Sequence, residues 1–169
     1  PIFLHEDGGA IGLAKICEFM KKKGFNCLLS GSGADEIISD YGYKGEKLFT
    51  HSQFGGLFPQ KLEEIFPWKK FYGDTQRSYL NKDEMITGIY GIEGRYPYLD
   101  KNLIQEFLSI SVDLKNKRYK NCIATFLEEN NYPFKEKEKL GFLPTKTRYS
   151  IFERIINKFL KMFSLKKEF

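Results

Sequence analysis

Between Gly24 and Gly31 the chain has room for one short strand and little else. Asn26-Cys27-Leu28-Leu29 is short, largely apolar and boxed by glycines, so it reads as a buried strand. Beyond Leu29 the pattern is almost entirely helical. One strand cannot make a sheet, and Ile2–Leu4 offers at most a second. The strand edges must therefore be covered by another polypeptide or by more of the same domain. The sequence opens at Pro1 rather than at a methionine, which adds to the expectation of a larger domain.

The neighbourhood of that strand sets the fold class. Residues 1–9 read as extended, with a turn at Gly8-Gly9. From Ala10 to Lys23 the apolar residues Ile11, Ala14, Ile16, Cys17, Phe19 and Met20 recur at helical spacing, and Gly24 is a good C-terminal stop. Helix, tight turn, strand and glycine loop in that order predict a parallel α/β sheet. The loop then lies at the carboxyl end of a strand, where such folds bind ligands. Downstream, Ala34–Ser39 suits a helical turn and residues 43–60 a loop. Lys61–Trp68 suits a short helix stopped by Pro67, and Asp74–Ile89 a longer one. Gly91–Asp100 reads as a loop broken by Gly94 and Pro97. Asp100 caps a helix running through Ser109, with Leu103, Ile104, Phe107 and Leu108 on one side. Arg118–Glu129 is a further helix. Residues 1–148 are read as one unit, and 149–169 as an amphipathic, basic C-terminal helix. Packing of that helix on its own or a partner domain outranks a membrane-surface anchor.

Bulk properties exclude several function classes. The chain has 169 residues, enough for one domain with a core, and 41% are hydrophobic, unlike a disordered tail. No leader pattern or apolar run of spanning length is present, so a soluble, cytoplasmic protein is expected. Cys17, Cys27 and Cys122 are an odd, widely spaced set, which argues against a disulfide framework or a zinc site. Cys17 and Cys27 have apolar neighbours and read as buried, inert thiols. Two isolated histidines, His5 and His51, cannot make a metal cluster. The net charge of +5 is mild and dispersed, and no nucleic-acid motif accompanies it.

Three stretches could carry chemistry. In "LLSGSGADE", Gly31 and Gly33 expose backbone amides that suit phosphate oxygens, Ser30 and Ser32 add hydroxyls, and Asp35 suits a hard cation such as Mg²⁺. The same residues also read as a plain helix entry, with Ser32 as cap and Asp35-Glu36 in the first turn. In "GIEGRYPYLD", Arg95 can clamp a carboxylate, or pair internally with Glu93 or Asp100. In "KEKEKLGFLP", Lys139 differs from Lys135 and Lys137 because Leu140-Gly141-Phe142 would anchor it.

Read in order, these motifs resemble the C-terminal synthetase domain of glutamine-hydrolysing asparagine synthetases. That family shows Ser-Gly-acid-Gly-small-Asp-Glu, then Gly-Val/Ile-Glu-x-Arg-x-Pro-Phe-Leu-Asp, then Lys-x-Gly-Phe. The resemblance runs from about Ala10 to about Pro144 and implies an adenine-nucleotide α-hydrolase-like parallel sheet with a helical extension. It implies an ATP- and Mg²⁺-dependent ligase that turns aspartate into β-aspartyl-AMP and pyrophosphate. Ammonia from a separate glutaminase domain then displaces AMP to give asparagine. On this resemblance Ser30, Gly31, Ser32 and Gly33 belong to the nucleotide loop, and Asp35 serves the metal and pyrophosphate. Lys139 neutralises charge on the phosphates, and Glu93 and Arg95 stand beside the amino-acid site. It leaves room for a homodimer of the full enzyme.

Departures from the pattern matter as much. Ser32 stands where the family usually has an acid between the two glycines. The family's Lys-x-x-Leu-Arg pattern appears as Lys120-Asn121-Cys122-Ile123-Ala124, without the arginine. The family's Ser-Gly-Gly-x-Asp-Ser loop and the glutaminase cysteine are not in these 169 residues, so an upstream segment is an expected partner. The alternatives are a family relative acting on another carboxylate or amine, or a non-catalytic remnant or binding module.

Overall fold

The computed structural model describes residues 7–134. Lys139, the 149–164 helix and the Ile2–Leu4 strand lie outside them. Helix α1 spans Gly8–Lys22. Asp7 caps it, its carboxylate accepting the Ala10 N–H at 3.1 Å, so Gly8 and Gly9 form the first turn rather than a turn before the helix. Strand β1, Cys27–Leu29, follows. Asp35–Ser39 is a single π-helical turn, and Gly42–Tyr43 (β2) pairs antiparallel with Glu46–Lys47 (β3). The expected helix at Lys61–Trp68 is reduced to a 3₁₀ turn at Leu62–Glu64, because Pro67 leaves too few residues for α-helical bonding. Then come α2 (Lys69–Tyr72) and α3 (Asp74–Ile89).

The main departure follows. Glu93–Arg95, expected in a loop, is a strand, β4, paired in parallel with β1. The register sets Cys27 against Glu93 and Leu29 against Arg95. The ladder continues past β1, since the Ser30 N–H donates to the Arg95 carbonyl at 2.8 Å. β1 itself is not buried on both faces. Leu28 packs against the α1–α3 side, while Cys27 is exposed and Leu29 is 70% exposed. A 3₁₀ turn at Pro97–Leu99 leads into α4, Lys101–Ser109, whose cap is Asp100 as expected, accepting from Asn102 and Leu103 N–H. Helix α5, Val112–Asn116, is additional, and α6 is Asn121–Glu129, starting three residues later than the sequence suggests.

The described residues hold two apolar clusters. One is small: Ala10, Cys17, Ile86 and Ile92, under the β1–β4 pair between α1 and α3. The other is aromatic: Phe58, Trp68, Phe71 and Phe107 with Ile37 and Ile38. Its rings meet edge to face, Trp68 and Phe71 at 4.9 Å between centroids. A buried ion pair pins this second region. Lys70 and Asp40, 1% and 0% exposed, meet at 2.8 Å. The second Asp40 oxygen accepts from Ser52 Oγ and from the Gln53 and Phe54 amides, and Lys70 also donates to the His51 carbonyl. Among the described residues no helix is long and apolar enough to cross a membrane.

Candidate functional site

The parallel ladder brings together two motifs far apart in sequence. Ser30 leaves β1 at its carboxyl end, and Arg95 ends β4 beside it. The contact is made by backbone. The Arg95 side chain pairs with Glu93 at 2.6 Å, both about 60% exposed, so the internal pairing weighed from the sequence is the one formed.

The loop's hydroxyls point to a residue the sequence did not single out. Ser32 Oγ donates to Asp83 Oδ2 at 2.6 Å. Ser30 Oγ lies 3.1 Å from both Asp83 Oδ2 and Ser32 Oγ, and accepts the Ser32 N–H at 3.2 Å. Ser32 is not the helix cap: Ala34 holds that position without a side-chain bond, and the Ser32 hydroxyl donates to Asp83 instead. Asp83 is buried on α3, and its charge, after burial itself, helps push the Cys17 thiol pKa up. One residue on, Glu84 accepts from Tyr96 Oη at 2.7 Å. Burial and that bond hold the Tyr96 phenol well above its usual range. Helix α3 thus braces both the glycine loop and the end of β4.

The two loop glycines have different causes. Gly33 has φ +96°, and a Cβ there would sit 2.4 Å from Leu99. The fold itself demands glycine at that position. At Gly31 an added Cβ would meet nothing within 4 Å, and its φ is not in the left-handed range. No neighbour within the described chain requires glycine there. An open backbone at the carboxyl end of a strand suits close approach by a ligand.

Asp35 follows the loop. Its Oδ1 takes the Lys120 ammonium at 2.7 Å, Tyr119 Oη at 3.0 Å and Ser39 Oγ at 3.2 Å. Burial first, and the Asp35 charge second, push the Tyr119 phenol up to about 12. The turn that Asp35 opens is five residues long, so the helix-dipole contribution expected from the sequence is slight. The next residue, Glu36, is buried and accepts from Tyr41 Oη. Among the described residues no group of three or more His, Cys, Asp or Glu could hold a metal. Asp35, whose Oδ1 carries the Lys120 ammonium, could offer Mg²⁺ a single carboxylate, with phosphate oxygens and water needed for the remaining ligands.

A groove of about 640 Å³ opens beside the loop. Leu29, Ser30 and Gly31 form one end, and Tyr98, Leu103 and Phe126 contribute to its largely apolar walls. Its size is that of a small-molecule site. The structure thus ties Ser30 and Ser32 of the loop to Asp83, sets Gly33 against Leu99 and leaves Gly31 open, brings Glu93 and Arg95 alongside β1 through β4, and places Asp35 on the Tyr119–Lys120 side.

No family model matches the chain. No solved structure matches it. A curated protein of Methanocaldococcus jannaschii, by name "Putative asparagine synthetase (glutamine-hydrolyzing) 1", is 25% identical over 118 residues. The aligned part is 70% of this chain and 20% of that protein. The chain therefore spans about a fifth of the length of the relative it matches.

Proposed function

We propose that this chain is part of an ATP-dependent amide ligase of the asparagine synthetase type. The similarity to a protein bearing that name supports the family, and the β1–β4 pairing carries the reading to the site. It sets "SGSGADE" and "EGRYPYLD" side by side, as a shared substrate site requires. In this reading an oxygen of the aspartate side-chain carboxylate attacks the α-phosphorus of ATP, and the bond to pyrophosphate breaks. Ammonia then attacks the acyl carbon, the bond to AMP breaks, and the amine loses a proton. Magnesium would neutralise phosphate charge from Asp35. Open amides at Gly31 and the loop hydroxyls orient the nucleotide, and the groove takes its less polar part. Lys139 would add positive charge, and an upstream segment would bring the other phosphate loop. Adenylation of this kind depends on positioning and charge stabilisation more than on a nucleophilic side chain.

Ser32 supports a second reading, a relative that takes a different amine. The acid the family carries at that position is replaced by a hydroxyl bound to Asp83, so the acceptor would meet a differently shaped, buried carboxylate.

The test is pyrophosphate release by the chain joined to its upstream segment. Aspartate-dependent release is expected, and Asp35→Asn and Lys139→Ala should each abolish it. Normal release in both variants defeats the site assignment. Release indifferent to aspartate but dependent on another acid selects the second reading.

A further inference from the structure

The chain carries 27 Lys and Arg against 22 Asp and Glu, yet the groove beside the glycine loop runs against that balance. Among the described residues that line it there is no Lys, Arg or His, and the one charged side chain is Glu106. A second cavity, of about 300 Å³, shares Phe107 and Cys122 with the groove and differs in charge: Lys115 and Lys117 line it. Cations are thus at hand behind that wall and absent in front of it. Glu106 is exposed on α4, and its carboxylate has no hydrogen bond or ion pair among the described residues. The groove's apolar side chains are also open, with Leu29, Leu103 and Phe126 at 70%, 38% and 57% exposure. An occupant gains by covering them with hydrocarbon. An anion seated there would shed its water and meet no counter-charge from these residues, whereas a cation meets Glu106.

We propose that the groove binds an apolar primary amine, its hydrocarbon body between α4 and α6 and its nitrogen toward the Ser30–Gly31 end, in the field of Glu106. On the second reading above, on which this inference rests for the amine's fate, that amine is the acceptor in place of ammonia. The nucleotide's less polar part then fills only the loop end, and the α4–α6 walls remain for the amine. The bound ammonium first releases one proton to water. Its neutral nitrogen attacks the acyl carbon and a C–N bond forms. AMP leaves with the electron pair of the C–O bond that breaks, and a second proton passes from nitrogen to water.

The test titrates the ¹⁵N-labelled 169-residue chain with butylamine, hexylamine and octylamine, and with hexanol and hexanoate for comparison. Saturable amide shifts at Gly31, Leu103 and Phe126 are expected. Affinity should rise about fourfold per methylene buried until the groove is filled. Hexylamine should bind about threefold more tightly than hexanol, and hexanoate more weakly than either, as an exposed carboxylate allows. Glu106→Lys, a surface change on α4, should reverse the order of hexylamine and hexanoate. If that variant loses the native circular dichroism spectrum, Glu106→Gln decides, and hexylamine should then fall to the level of hexanol. Shifts centred elsewhere, affinity independent of chain length, hexanoate binding as well as hexylamine, or an order untouched by the Glu106 variants overturns the proposal. So does the absence of binding, as when another part of the chain covers the groove. With the chain joined to its upstream segment, amine binding without acid-dependent pyrophosphate release leaves the amine site standing and removes the ligase reading. Acid-dependent release with ammonia accepted and hexylamine unbound does the reverse.

Discussion

The helical region and the α/β region of this chain are held together by different means. Around Trp68 and Phe71 the core is aromatic, interlocked at its edges and pinned by Lys70–Asp40. Around β1 and β4 the core is four small or medium side chains, while Phe25, Leu29 and Ile89 face outward. Yet the glycine loop and its brace, Asp83, belong to this thinner region. Parallel sheets ordinarily have both faces covered, and a two-stranded one buries little. Rigidity and exposed polar groups are thus divided between the two regions. The helical region supplies a firm base, and the α/β region supplies open backbone edges and polar groups.

The largest effect is expected at Lys70. Lys70→Ala leaves Asp40 buried without its cation and should cost about 3–5 kcal/mol in urea unfolding. A loss below about 1 kcal/mol would mean the helical region is not pinned as described. A smaller effect is expected at Asp7, which joins α1 to α3 through Lys82 at 3.0 Å. Asp7→Ala should cost about 1 kcal/mol, the usual worth of such a cap. Burial opposes ionisation of Asp7 most strongly, but the Lys82 bond and the α1 amides together bring its pKa below 3.8. Its folded pKa is depressed, so its contribution is full above the unfolded value and fades as pH falls through the folded one. Acid unfolding of the variant should therefore begin from a lower stability and show a shallower loss below pH 3.8. An unchanged acid transition would contradict this.

The least perturbing experiment is thiol labelling of the native chain. Burial raises the pKa of Cys17 and Cys122. Cys27 is exposed on β1 and should react first with a charged disulfide reagent. Protection of Cys27 equal to that of Cys17 would mean that this face of β1 is covered.

What the sequence made legible was local. Asp100 announces its helix because a cap needs only its own turn, and α1 and α3 follow from apolar spacing. β4 was not legible, since Glu93-Gly94-Arg95 has two charges and a glycine and becomes a strand only against β1. With that pairing β1 is half-open rather than buried, and Cys27 is exposed rather than buried. Asp83 was hidden in Asn81-Lys82-Asp83-Glu84, which reads as a solvated helix face until α3 packs on the loop. In the sequence Lys120 is only part of an incomplete motif, because nothing local signals its left-handed backbone or its reach to Asp35. Lys69 and Lys70 look alike in sequence, and only tertiary packing buries one of them.

In the proposed function a nucleotide meets this chain at the Ser30–Gly33 loop, which β4 and Asp83 hold in place. Amide NMR of the ¹⁵N-labelled chain during a Mg·ATP titration tests it most directly. Saturable shifts centred on the Gly31, Ser32 and Gly33 amides and extending to Asp35 are expected, with Lys70 and Trp68 unmoved. Shifts centred on the Trp68–Phe71 region, or none at the loop at saturating Mg·ATP, would contradict the account.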